Sequence, residues 1–155
     1  MTSTTSSTTT STTSPSDEAA VRSAYEAASR AFIEAAAIPD PNYPALTETH
    51  TGPMLEQRQD TLRALQLDHR IIRYPQPSQY RVEIDDVTID GDVARLTVCV
   101  VDDGERVEKD TGRVIASGVG TVQGTAAMRR VDGTWRLAER REDQRWDGVA
   151  GCAVH

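Results

Sequence analysis

Few side chains in this chain have the type and setting to move a proton or to hold a charge inside a protein. Asp102 and Asp103 end an apolar run, Val98 to Val101, and a carboxylate at the end of a strand can face a cavity. Desolvation there would raise its pKa and fit it for general-base work. Asp102-Asp103-Gly104 is also an ordinary turn signal, which is the plainer reading. Glu139 follows Trp135 and Leu137 at two-residue steps and is expected on their face, with Arg141 next along it and Arg129 on the strand before. A carboxylate beside a guanidinium is usually a structural ion pair, and its depressed pKa makes a poor base. Asp102, Asp103 and Glu139 are therefore weak candidates for catalysis.

Tyr25, Phe32, Tyr43 and Trp135, with Arg129 and Arg141, are the candidate lining of a pocket. In a chain with 5% aromatic residues, core is the more ordinary role for the rings. His50 and His69 fall at the ends of predicted elements, where a histidine is commonly solvated or a partner of the helix dipole. No metal-ligand spacing, phosphate loop or nucleophile and base pair is present, so neither metal nor cofactor is expected.

The elements that must position these residues change period once along the chain. Val21, Ala24, Tyr25, Ala28, Phe32, Ala35 and Ala36 recur at three- and four-residue steps, predicting a helix from Asp17 to about Ala37, which Ile38-Pro39-Asp40-Pro41 ends. Pro44 to His50 and Pro53 to about Gln66 are two further, shorter helices. From Arg70 the period becomes 2. Arg70 to Tyr74 is a first strand and Tyr80 to Ile89 a second, whose apolar parity flips at Asp85-Asp86 and so requires a bulge. Asp90-Gly91 turns it into Val93 to Val101, whose near-continuous apolar character predicts a strand covered on both faces. After a polar excursion, Val114 to Val131 reads as one long strand, and Asp132-Gly133 turns it into Trp135 to Arg141. The fold class is α+β, three N-terminal helices packed on a curved, mostly antiparallel meander sheet.

Every residue from Thr2 to Ser14 is Ser or Thr, a composition that cannot bury enough apolar area to offset ordering. Residues 1–16 are read as a disordered tail or tether, and 17–155 as one domain. The formal charge of −7 lies on that domain and argues against nucleic acid as a partner. No run reaches the length of a membrane span. The two cysteines, Cys99 and Cys152, share no redox or zinc spacing and are either buried free thiols or a pair. A disulfide is favoured, because the small segment Gly148-Val149-Ala150-Gly151 before Cys152 is suited to lie against a sheet. Tether and disulfide together favour an extracytoplasmic, secreted or surface-tethered protein.

Two hairpins carry a resemblance. Val87-Thr88-Ile89-Asp90-Gly91-Asp92-Val93-Ala94 pairs with Arg130-Val131-Asp132-Gly133-Thr134-Trp135-Arg136-Leu137, and the second resembles a Trp-bearing hairpin recurrent in bacterial members of the nuclear transport factor 2-like superfamily. The resemblance covers Asp17 to about Arg141. It implies a cone-shaped sheet wrapped around a pocket, with Trp135 packed into the cone. Some members are ketosteroid isomerase, scytalone dehydratase or polyketide cyclase-like enzymes, and many are non-catalytic binding or dimerisation modules. The segment from Trp146 to Cys152 resembles small exported or lipid-anchored proteins of high-GC bacteria.

The reading that follows is a non-enzymatic extracytoplasmic module that binds a protein partner or a small apolar ligand and can form a homodimer. Two alternatives stand beside it: a small proton-transfer isomerase, dehydratase or cyclase acting on a hydrophobic substrate, and an acidic immunity or inhibitor protein.

Overall fold

The computed structural model describes residues 14–152; the stretch 1–13, which holds most of the expected tail, lies outside them. Helix α1 (Pro15–Ala37) starts two residues before the expected boundary, because Ser14 caps it by accepting the Asp17 N–H and Pro15 occupies a first-turn position where its missing donor costs nothing. Its face of Val21, Tyr25, Ala28, Ala31 and Ala35 is buried, and the alanines let it approach a sheet closely. Two shorter helices follow, α2 (Pro44–Thr49) and α3 (Gly52–Leu67).

The main sheet is antiparallel in the order β2 (Arg81–Asp90), β3 (Val93–Asp102), β6 (Gly120–Val131), β7 (Thr134–Asp147). The hairpins form as read: Asp132 and Gly133 both take positive φ in the second, whereas Gly91 alone does in the first. The bulge in β2 falls at Asp85, as its parity demanded.

Two expectations change. The polar excursion contains a strand, β4 (Glu105–Glu108). The long strand expected over 114–131 is two, because Ser117-Gly118-Val119 interrupts it and sends β5 (Val114–Ala116) to pair with β4. With β1 (Arg70–Arg73) these form a second, three-stranded sheet in the order β1-β4-β5.

The core lies between α1 and the inner face of the main sheet, where Val21, Tyr25 and Ala28 meet Leu96, Val98, Met128, Trp135 and Leu137. Truncating one of these aliphatic side chains to Ala would cost about 2–5 kcal/mol. A second cluster, with Leu46, Leu62 and Leu65, joins the three helices. On the outer face, the chain after β7 folds back across the sheet. Gly148 N–H donates to the Val119 carbonyl, the Thr121 hydroxyl donates to the Gly148 carbonyl, and Arg81 donates to the Val149 carbonyl. Cys152 then bridges Cys99. This strap gives β3 its second cover, and Val101 and Thr121 are buried. Gly151 lies on the ring of Trp146, with no room for a Cβ between them.

Candidate functional site

Between α1, α3 and the inner face of β3 and β7 is a cavity of about 60 Å³. Its wall draws on distant parts of the chain: Tyr25, Ser29 and Phe32 from α1, His50 from the end of α2, Arg58 from α3, Val100 and Asp102 from β3, and Leu137 and Arg140 from β7. Tyr74 and Tyr80, at the two ends of the β1–β2 linker, close it with rings packed edge to face, centroids 5.5 Å apart. A more open depression of about 260 Å³ adjoins it, sharing Phe32, Tyr74 and Asp102 and adding Ile72, Arg106 and Ala116.

His50 is held from both sides. The Thr51 N–H donates to the Leu137 carbonyl, tying the end of α2 to β7, and His50 Nδ1 lies 3.1 Å from the Leu46 carbonyl. The Thr49 hydroxyl, 3.0 Å from Nδ1, donates to the Ala45 carbonyl, and the Leu46 carbonyl only accepts, so Nδ1 carries the proton and Nε2 keeps its lone pair. His50 is 1% exposed, and its Nε2 has no partner among the described residues. Burial, reinforced by the Arg58 guanidinium, lowers its pKa to about 4, so the ring is neutral at pH 7.

Arg58 stacks on Phe32, its guanidinium carbon 3.9 Å from the ring centroid. Its Nε is buried without a partner, and neither it nor Arg140 is ion-paired among the described residues. Burial and then the Arg140 charge lower the Arg58 pKa to about 10, which leaves it charged at neutral pH. Burial also raises the phenols of Tyr25, Tyr74 and Tyr80; for Tyr74 the Asp102 carboxylate adds to the effect. The cavity thus presents cations, neutral phenols and an imidazole lone pair, rather than the apolar lining expected.

Of the residues expected here, Tyr25 and Phe32 line the cavity and Asp102 stands at its rim, exposed, with Oδ1 accepting the Gly104 N–H. Asp103 is buried nearby but committed, accepting from the Ser78 hydroxyl and the Gln79 N–H. It secures the linker that carries the two tyrosines. Tyr43 points elsewhere, its hydroxyl donating to Glu34. Trp135 is core, with Arg130 stacked over it at 4.6 Å. Glu139, Arg141 and Arg129 are exposed on the outer face.

The outward placement of Glu139 and Arg141 has one cause. Ala127 pairs with Glu139 but Met128 with Leu137, so Ala138 is an extra residue in β7 and reverses the parity beyond it. Arg140 is turned in where Glu139 and Arg141 were expected. Trp135 in the core of a hairpin-built curved sheet, three helices before it and an inward cavity at its end, decides the architecture.

The fold has the curved sheet packed against three helices that the resemblance to the nuclear transport factor 2-like superfamily implies. Its sheet is curved and not closed into a barrel. No family model matches the sequence and no curated protein matches it. Solved structures do. The intermembrane space region of chloroplast protein ARC6 is 16% identical with a TM-score of 0.61, over 79% of this chain and 95% of that one. Protein Kfla4162 from Kribbella flavida is 16% identical with a TM-score of 0.51, over 84% and 93%. An NTF-2 like protein of unknown function from Silicibacter pomeroyi is 15% identical with a TM-score of 0.45, over 84% and 100%. At such identities the likeness extends to the fold and no further.

Sequence reasoning passed over Arg58, Arg140, Tyr74 and Tyr80 and set His50 aside. His50 carried one signal, a histidine closing a short helix just ahead of Gly52-Pro53. The cone gathers no metal site: among the described residues no group of His, Cys, Asp or Glu is arranged to hold an ion. Nor is any described helix long and apolar enough to cross a membrane.

Proposed function

We propose that this chain is a non-enzymatic binding module working outside the cytoplasm, and that it receives a small ligand in the cavity between α1, α3, β3 and β7. The observation that carries the reading is a pair of buried polar atoms, His50 Nε2 and Arg58 Nε, left without partners on the wall of one cavity. Buried polar groups are ordinarily satisfied, and leaving one unpaired costs about 1–3 kcal/mol, so two such atoms on residues that line one cavity support the presence of an occupant. Catalysis is the weaker reading, because Asp103 is spent on the linker and Glu139 lies on the outer face. The Cys99–Cys152 bridge supports an oxidising compartment.

A screen of small-molecule fragments against oxidised protein, read by NMR at the His50 ring and the Tyr74 and Tyr80 rings, tests the binding reading. Ligands are expected to shift these signals and to raise the melting temperature with concentration. A screen in which no compound moves them would remove the reading. Two free thiols in protein taken from its native host without reductant would remove the compartment assignment.

A further inference from the structure

We infer that the ligand of this site is a small organic acid, its carboxylate held by Arg58 and Arg140 in the inner cavity and its apolar body resting on Phe32, Ile72 and Ala116 in the adjoining depression. The inference rests on the binding-module reading above and adds the chemistry of what is bound.

Charge is the first ground. Two guanidiniums face one cavity, close enough for one to lower the other's pKa, while Asp102 at the rim is the only carboxylate among the described residues that line it. Arg58 is desolvated there and Arg140 lies half-buried beside it, so the two like charges repel one another and the first is poorly solvated. An anion between them relieves both penalties, and a carboxylate matches the planar guanidinium fork.

Hydrogen-bonding capacity is the second and independent ground. Arg58 Nε is a buried donor without an acceptor, which a carboxylate oxygen supplies. His50 Nε2 is an acceptor without a donor, which a hydroxyl on the acid, or water carried with it, supplies.

Size is the third. A cavity of about 60 Å³ holds roughly two waters' worth of volume, enough for a carboxylate group and too little for a whole aromatic acid. The remainder of the molecule must lie outward, where the depression of about 260 Å³ offers Phe32, Ile72 and Ala116 as apolar surface. The outer part also gives a role to Phe32, on which Arg58 stacks, since its ring takes the body of a molecule whose head is charged.

The test compares acids with their neutral isosteres on the oxidised, full-length chain. Benzoate and phenylacetate, and benzamide and phenylacetamide, are titrated while the His50 ring and Arg58 Nε–H resonances are followed. The acids are expected to bind at least about tenfold more tightly than the amides, the scale of one charge-assisted bidentate contact. Arg58→Gln and Arg140→Gln are each expected to abolish that preference while the near-ultraviolet circular dichroism stays native. Equal binding of acids and amides would overturn the inference and leave the binding module standing; this comparison needs no variant. A preference retained in both folded variants, or inorganic phosphate binding as tightly as the acids, would overturn it as well. If neither acids nor amides nor any screened fragment moves these resonances, the binding reading falls with it.

Discussion

Asp103 accepts the Ser78 hydroxyl in a 2.6 Å hydrogen bond, and by that contact the end of β3 holds the linker whose two ends are Tyr74 and Tyr80. The same carboxylate accepts the Gln79 N–H, and the Ser78 oxygen in turn accepts the Tyr80 N–H. One acidic side chain thereby fixes one side of the cavity without lining it.

Asp103→Ala should therefore act on the site through the linker. With the carboxylate gone, two donors lose a charged acceptor, and a loss of about 2 kcal/mol is expected in urea denaturation. The near-ultraviolet signal of the tyrosines should weaken at the same time. An unchanged tyrosine signal would mean that the linker is held by other contacts.

His50 sets a pH dependence whose sign can be worked out. Its pKa falls from 6.5 in the unfolded chain to about 4 in the folded one, chiefly by burial. Between those values the unfolded state binds the proton and the folded state does not. Stability is thus full above pH 6.5, declines as pH falls toward about 4, and levels off below. The loss is of order 3 kcal/mol at most. Glu108, held near a pKa of about 2 by hydrogen bonds from Arg113 and Thr111, acts in a lower window, between its unfolded 4.5 and about 2. Denaturation midpoints at pH 7, 5.5 and 4.5 separate the two, and His50→Gln should flatten the upper window only.

The Cys99–Cys152 bridge closes a loop spanning 53 residues, for which loop-closure entropy gives a stabilisation of about 4 kcal/mol as an upper figure. Reduction, or Cys99→Ser with Cys152→Ser, should lower the unfolding free energy by up to that amount. It should also expose Trp146, to which the strap is packed through Gly151. Loss of stability without a change in tryptophan emission would show that the strap stays seated without its bridge.

Gly124 sits at a bulge where β6 shifts register against β7, and a Cβ there would collide with the Arg141 carbonyl, a backbone atom that cannot swing aside. Gly124→Ala should cost about 1–3 kcal/mol. Because Arg140 precedes the obstructed carbonyl, acid binding should weaken as well. A variant with wild-type stability and binding would show that the two strands part easily.

Much of the fold was readable because it rests on local chemistry. Helix α1 declares itself through its apolar spacing, the hairpins through Asp90-Gly91 and Asp132-Gly133, the bulge in β2 through its parity flip, and the double cover of β3 through its unbroken apolar run. Each signal lies within a few residues, so periodicity and turn chemistry reveal it. The strap too left a trace, in small residues beside the second of two cysteines.

The site was decided by tertiary structure. Residues Glu139, Arg140 and Arg141 are all charged, so no hydrophobic alternation marks the extra residue at Ala138 that turns Arg140 inward and its neighbours out. Strand β4 is short and polar and β5 is only three residues long, and only the pairing of β4 with β1 and of β5 with β4 makes them a sheet. Arg58 and His50 look like surface residues of two half-polar helices until the cone folds around them. Sequence alone thus determined the elements, their order and the hairpins. Which charged side chains were turned toward one cavity depended on register and on contacts between parts of the chain far apart in sequence, which no local pattern encodes.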